Sequence, residues 1–215
     1  MAKPDNTSTD RDTGRLEAFS DGVFSIAMTL LVLELKVPPV GSQPSPGQLA
    51  SSLLHQWPSY LAFTTSFFTV LIMWVNHHGI FRLVRRADST LLFANGFLLL
   101  LVTVVPFPTA LVASYLRTPA ASMACAVYGA TFVLISIAYA LVLLAARRKD
   151  GRLLCPNSID QINHRLRGCY AVGAPLYLVS TLAAPIAPWL TIAICTVLWV
   201  YWSTAHHNPD NAFVQ

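Results

Sequence analysis

The chain has 215 residues, of which 54% are hydrophobic and 11% charged, with a mean hydropathy of +0.54. A soluble domain carries about 25% charged residues, so this composition excludes one and reads as an integral membrane protein. The formal charge of +4 sits in short loops between apolar blocks, where it serves topology rather than a nucleic-acid-binding face.

Residues 1–14 (MAKPDNTSTDRDTG) are polar and read as a disordered cytoplasmic tail. They lack an apolar stretch beside a cleavage site, so the first helix is expected to stay in the mature protein. The first span, 16–37, stops at Pro38 and Pro39. It carries Asp21 in its first turns and Glu34 near its far end. An acid near mid-bilayer costs roughly 2.5–3.5 kcal/mol, which marks the helix for more than anchoring. At 3.6 residues per turn, Ile26, Leu30 and Leu33 share one face, with Gly22 a turn earlier and Ser25 and Thr29 beside the stripe. Asp21 lies roughly 140° off that stripe at ~100° per residue and is expected to face the bundle.

A Pro/Gly/Ser loop (38–47) and a short helix (48–57) lead to the second span, 58–83. It ends in Trp74, Asn76, His77, His78 and Phe81. Topology puts these residues at the depth of Asp21, so His77 or His78 is its expected partner, with Asn76 close by. Adjacent histidines point to different helix faces and no third ligand is spaced to join them, so no metal site is expected. The third span, 89–115, holds Asn95 as a lone amide suited to bonding across helices, and Pro106 and Pro108, which should kink its outer half. The fourth span is 119–146. A polar connector (RRKDGRLLCPNSIDQINHRLR) precedes the fifth, 167–184, and a Pro185 to Pro188 turn leads to the sixth, 189–204. With six spans, every Lys and Arg except Lys36 and Arg117 falls on one side, placing both termini in the cytoplasm. The domains are therefore the tail 1–14, a six-helix transmembrane domain 15–205 and a cytoplasmic tail 206–215. AVYGA around Tyr128 and YAVGAP around Gly173 do not form a carbonyl filter, since each lies in or beside an apolar span without a re-entrant loop.

RLEAFSDGVFSIAMTLLVLEL resembles the first-helix signature of the transmembrane protein 175 family, the endosomal and lysosomal potassium channels and their shorter prokaryotic relatives. Arg15, then Phe19, Ser20 and Asp21, then Thr29 eight residues after the Asp, stand in the family register. Trp74, Asn76, His77, His78 and Phe81, and Asn95 with Pro106, Phe107, Pro108 and Thr109, also resemble the family. The match covers the first three spans; the last three agree only in hydropathy and length.

The resemblance implies an all-α integral membrane fold with six transmembrane helices per subunit, assembled as a homotetramer whose first helices line a central pore. It implies a potassium-permeable, modestly selective cation channel in the plasma membrane, with K+ as the permeant ion, no cofactor and no enzymatic activity. Ile26 would form the hydrophobic constriction that gates and filters, Leu30 and Leu33 further layers, and Ser25 and Thr29 the pore hydroxyls. Arg15, Phe19, Ser20, Asp21, Trp74, Asn76, His77 and His78 would form a polar bracing network. The alternative is a proton-permeable channel or proton-coupled transporter using Asp21 and His77. A membrane-embedded enzyme built on Asp21, Asn76, His77 and His78 lacks a nucleophile with a placed base.

Overall fold

The computed structural model describes residues 7–148 and 151–205 and is helical throughout apart from short connections. Helix α1 (Thr7–Leu30) tightens into a 3-10 turn at Leu31–Glu34. Then come α2 (Pro46–His55), α3 (Trp57–Phe81), α4 (Ser89–Val104), α5 (Pro106–Tyr115) and α6 (Ala121–Arg147). Helix α7 (Ile159–Gly168) passes through a π-helical turn at Cys169–Gly173 into α8 (Ala174–Ala183), and α9 (Pro188–Ala205) follows. Among the described residues, four helical runs are long and apolar enough to cross a membrane: Thr13–Glu34, Trp57–Phe81, Ser89–Tyr115 and Ala121–Arg147. The run Pro188–Ser203 is apolar but shorter.

The local chemistry explains the boundaries. Ser45 and Gln48 form a reciprocal capping box at the start of α2, with Pro46 in the first turn. The Asp88 carboxylate accepts the Leu91 N–H at 2.9 Å and caps α4. Pro106 has no N–H to donate, so α4 ends at Val104 and α5 begins at Pro106, which is the expected break in the third run.

Two boundaries differ from the sequence reading. The stretch expected to be a disordered tail is helical from Thr7, because extending an established helix adds a hydrogen bond for each residue fixed. Thr13 also anchors it, donating to the Arg85 carbonyl at 3.4 Å. Within the connector expected to be polar loop, 159–168 is helix, since Ile162 and Leu166 lie four apart on one buried face. The rest of the N-terminal tail (1–6), Lys149, and the C-terminal tail 206–215 lie outside the described residues.

Helix α6 is the core. It packs against α4, α5, α8 and α9, and its apolar window is 61% buried, against 22% for the first run. Gly129 lets α8 come close: a Cβ there would stand 2.6 Å from Thr181 Oγ1 and 3.2 Å from its Cα. Tyr128 is fully buried, and its hydroxyl lies 3.0 Å from Ser66 Oγ, which is 2.8 Å from Thr109 Oγ1. That knot ties α3, α5 and α6 together. Tyr139 adds a second tie by donating to the Met73 carbonyl at 2.6 Å. At the end of the bundle that holds most of the arginines, the connector docks on the turn after α3. The Arg85 and Arg86 N–H groups both donate to the Leu153 carbonyl, and the Cys155 N–H to that of Leu83.

Candidate functional site

Helix α1 divides cleanly. Ser20, Phe24, Ala27 and Leu31, spaced four, three and four apart, are fully buried against the bundle. On the other side, Ile26 is 58% exposed, Leu30 41% and Leu33 65%, and Gly22, Ser25 and Thr29 are exposed beside them. The expected aliphatic stripe with flanking hydroxyls is therefore an open ridge, not packed within this chain. The 3-10 turn keeps it straight. In an α-helix Leu33 would sit about 60° round from Leu30, but residues three apart eclipse in a 3-10 helix. The Thr29 hydroxyl donates to the Ile26 carbonyl at 2.8 Å, so its proton is tied back to the helix and its oxygen lone pairs remain for the open side.

Behind the ridge, α1, α3 and α4 share a polar layer. The indole of Trp74 donates to Asp21 Oδ1 at 2.8 Å. One turn along both helices, His78 Nδ1 lies 2.7 Å from Glu17 Oε1. Glu17 and Asp21 are four apart on α1, as Trp74 and His78 are on α3, so the two pairs form consecutive rungs of an antiparallel helix pair. Deeper in, His77 Nε2 donates to Asn95 Oδ1 at 2.8 Å, Asn95 Nδ2 to Ser20 Oγ at 3.0 Å, and Ser20 Oγ to the Leu16 carbonyl at 2.8 Å. Asn95 Oδ1 only accepts, so this direction sets His77 as the tautomer with its proton on Nε2. Its ring is held between Phe24, 5.3 Å away, and Phe81, stacked at 4.3 Å.

The structure corrects the expected pairing. Asp21 bonds Trp74 rather than His77 or His78, because the antiparallel register sets it opposite Trp74 and sets His78 opposite Glu17. Ser20, Asp21, Trp74, His77 and His78 do meet in this layer. Phe19 does not: it is 65% exposed, toward the ridge side of α1. Among the described residues, Arg15 and Asn76 make no side-chain hydrogen bond to the layer; Arg15 is exposed and Asn76 half-buried. Asn95 bonds across helices as expected, linking α1 to α3. Glu17 was missed, although its i, i+4 spacing from Asp21 puts both on one face. Among the described residues no group of three or more His, Cys, Asp or Glu could hold a metal ion.

A family model described as "Endosomal/lysosomal potassium channel TMEM175" matches residues 15–106, the part of the chain that contains the ridge and the whole polar layer. The chain is 49% identical over 192 residues to "Potassium channel Cha6605_3372" of Chamaesiphon minutus, covering 89% of this chain and 94% of that protein. It superimposes with a TM-score of 0.81 on the crystal structure of a lysosomal potassium-selective channel TMEM175 homolog from Chamaesiphon minutus, at 45% identity over 92% of this chain and 99% of that one. It is 36% identical over 110 residues to the "Endosomal/lysosomal proton channel TMEM175" of Rattus norvegicus, covering 49% of this chain but 22% of that protein.

Proposed function

Because the chain belongs to the TMEM175 family, we propose that it is a potassium-permeable channel subunit whose first helix lines the pore. The observation that carries this reading is the open ridge of Ile26, Leu30 and Leu33 on a helix whose opposite face is fully buried. One subunit with one such ridge cannot enclose a path for ions. Four copies about a cyclic axis can, each turning the same face inward. Six spans per subunit, with both termini in the cytoplasm of the cell that holds the channel in its plasma membrane, put nearly all basic residues inside.

In this arrangement Ile26 forms a ring whose side chains dewet the pore when they close, and Leu30 and Leu33 extend the apolar passage. Opening is a tilt or rotation of α1 that withdraws the ring. Ser25 and Thr29 supply oxygen atoms that replace part of the hydration shell of K+. Discrimination among cations is modest, because no dense ring of carbonyls replaces the whole shell. The polar layer of Asp21, Trp74, His77, Asn95 and Ser20 fixes the rotation of α1 against α3 and α4, and so holds the ridge toward the axis. Ile26→Ala and Ile26→Asn, in liposomes or planar bilayers, are expected to raise K+ flux; unchanged flux in both overturns the gate.

The rat relative is a proton channel, which favours a second reading in which protons share the path. A relay through Asp21 and His77 is not supported by the geometry. Asp21 bonds an indole, which only donates, and the His77 chain ends on the Leu16 carbonyl, which only accepts. Reversal potentials under crossed K+ and pH gradients separate the two: a shift that follows pH assigns the current to protons.

A further inference from the structure

Away from α1, helices α4 and α6 part at their arginine-rich end to leave a groove of about 830 Å³. Phe93 and Phe97, one turn apart on α4, form one wall, and Leu141 and Leu144 of α6 the other. Phe93 is 80% exposed. Arg147 and Arg148 stand at the mouth. Arg147 donates from Nη1 to Asn163 Oδ1 at 2.9 Å, and Arg148 from Nη1 to Thr90 Oγ1 at 3.0 Å. Both acceptors are neutral. They orient the guanidinium groups without cancelling their charge, and each group keeps further N–H donors. Among the described residues, the Asp88 carboxylate at this end of α4 caps the helix through the Leu91 N–H. Arg147 also borders a second depression of about 490 Å³ with Asn163 and Arg167, which adds a third cation.

An apolar trough that opens at a cluster of cations, at the end of membrane-crossing helices, matches the two halves of a lipid. Basic pockets between transmembrane helices on the cytoplasmic side suit anionic head groups. We propose that this groove binds an anionic phospholipid of the cytoplasmic leaflet, with an acyl chain against Phe93, Phe97, Leu141 and Leu144 and the headgroup phosphate on Arg147 and Arg148. The inference rests on the membrane orientation proposed above, but not on conduction or on the role of Ile26.

The test is native mass spectrometry of the full chain, purified in detergent and offered equal amounts of dioleoyl phosphatidylglycerol and dioleoyl phosphatidylcholine. The wild type is expected to retain phosphatidylglycerol in preference. R147Q/R148Q is expected to retain at least fivefold less of it with phosphatidylcholine unchanged, while R152Q, which removes a charge from the connector, behaves as wild type. Should the double variant fold poorly, Ala94→Phe fills the groove from its α4 wall and is expected to lose the lipid with both arginines in place. Equal retention in R147Q/R148Q and wild type overturns the proposal, as does an equal loss in R152Q, which would mean diffuse charge. Displacement of the lipid by an equal concentration of free glycerol 3-phosphate overturns the acyl-chain half. Efficient disulfide cross-linking between copies through Phe93→Cys, in a Cys155→Ser/Cys169→Ser background, assigns the groove to a second subunit instead. A chain that conducts K+ yet shows no lipid preference refutes this inference alone.

Discussion

The indole of Trp74 on α3 holds the carboxylate of Asp21 on α1 at 2.8 Å, and this bond stands one rung inward from the contact between His78 and Glu17. The two rungs differ in worth. A hydrogen bond to a charged group in a half-buried site contributes about 1.5–3 kcal/mol. The His78 and Glu17 side chains are 46% and 26% exposed, and a solvent-exposed contact of that kind contributes about 0–1 kcal/mol even as a full ion pair. Trp74→Phe should therefore lower the melting temperature in detergent clearly, and Glu17→Gln barely. Asp21→Asn should fall between them, because an amide oxygen still accepts from the indole. Thermal melts of the three variants side by side check the order.

Asn95 carries more than one bond. It accepts from His77 and donates to Ser20, and all three residues are fully buried. Asn95→Ala strands the His77 N–H and the Ser20 oxygen, each at roughly 1–3 kcal/mol for an unsatisfied buried group. The expected loss is about 2–6 kcal/mol. Ser20→Ala breaks one link and should cost less. Denaturation followed by tryptophan fluorescence measures both; equal losses would mean that the three groups do not act as a chain.

The close approach of α6 and α8 makes Gly129 sensitive to a single methyl group. In Gly129→Ala the new Cβ would meet Thr181 Oγ1 at 2.6 Å, and overpacking of this kind costs about 1–3 kcal/mol. Thr181→Ala in the same chain removes the nearer atom but leaves the Thr181 Cα at 3.2 Å. The double variant should recover part of the loss and not all of it. A double-mutant cycle of melting temperatures shows this as a coupling of opposite sign to the single losses.

The helical wheel of α1 was legible because Ile26, Leu30 and Leu33 repeat at helical spacing and the opposite positions are as regular. The break at Pro106 was legible because proline has one way to act there. The partners of Asp21 were not. Matching a carboxylate to an imidazole is a chemical argument, whereas the pairing follows from the antiparallel register of α1 and α3, which no single helix reveals. Once His78 is set against Glu17, a step of four along both helices places Trp74 against Asp21. Helix α7 was hidden for another reason. Its buried face is two residues, Ile162 and Leu166, within a run of polar ones. The groove between α4 and α6 needs both helices in place before Phe93 and Leu141 can be seen to face each other.

The two faces of α1 should come apart under mutation. Phe24 is fully buried against the His77 ring, and Phe24→Ala should cost about 3–5 kcal/mol in cavity and transfer terms. Ile26 is two residues away and 58% exposed, so Ile26→Ala removes little that this chain packs and should leave its melting temperature almost unchanged. Flux should respond in the opposite pattern. Ile26→Val, Ile26→Ala and Ile26→Asn should widen or wet the ring to an increasing degree, so K+ flux should rise in that order. Phe24→Ala should lower the amount of folded channel without a specific rise in flux per channel. Flux per reconstituted protein and thermal melts on the same samples decide it. A stability loss at Ile26 as large as at Phe24 would mean that the ridge is packed rather than open, and the pore would have to lie elsewhere.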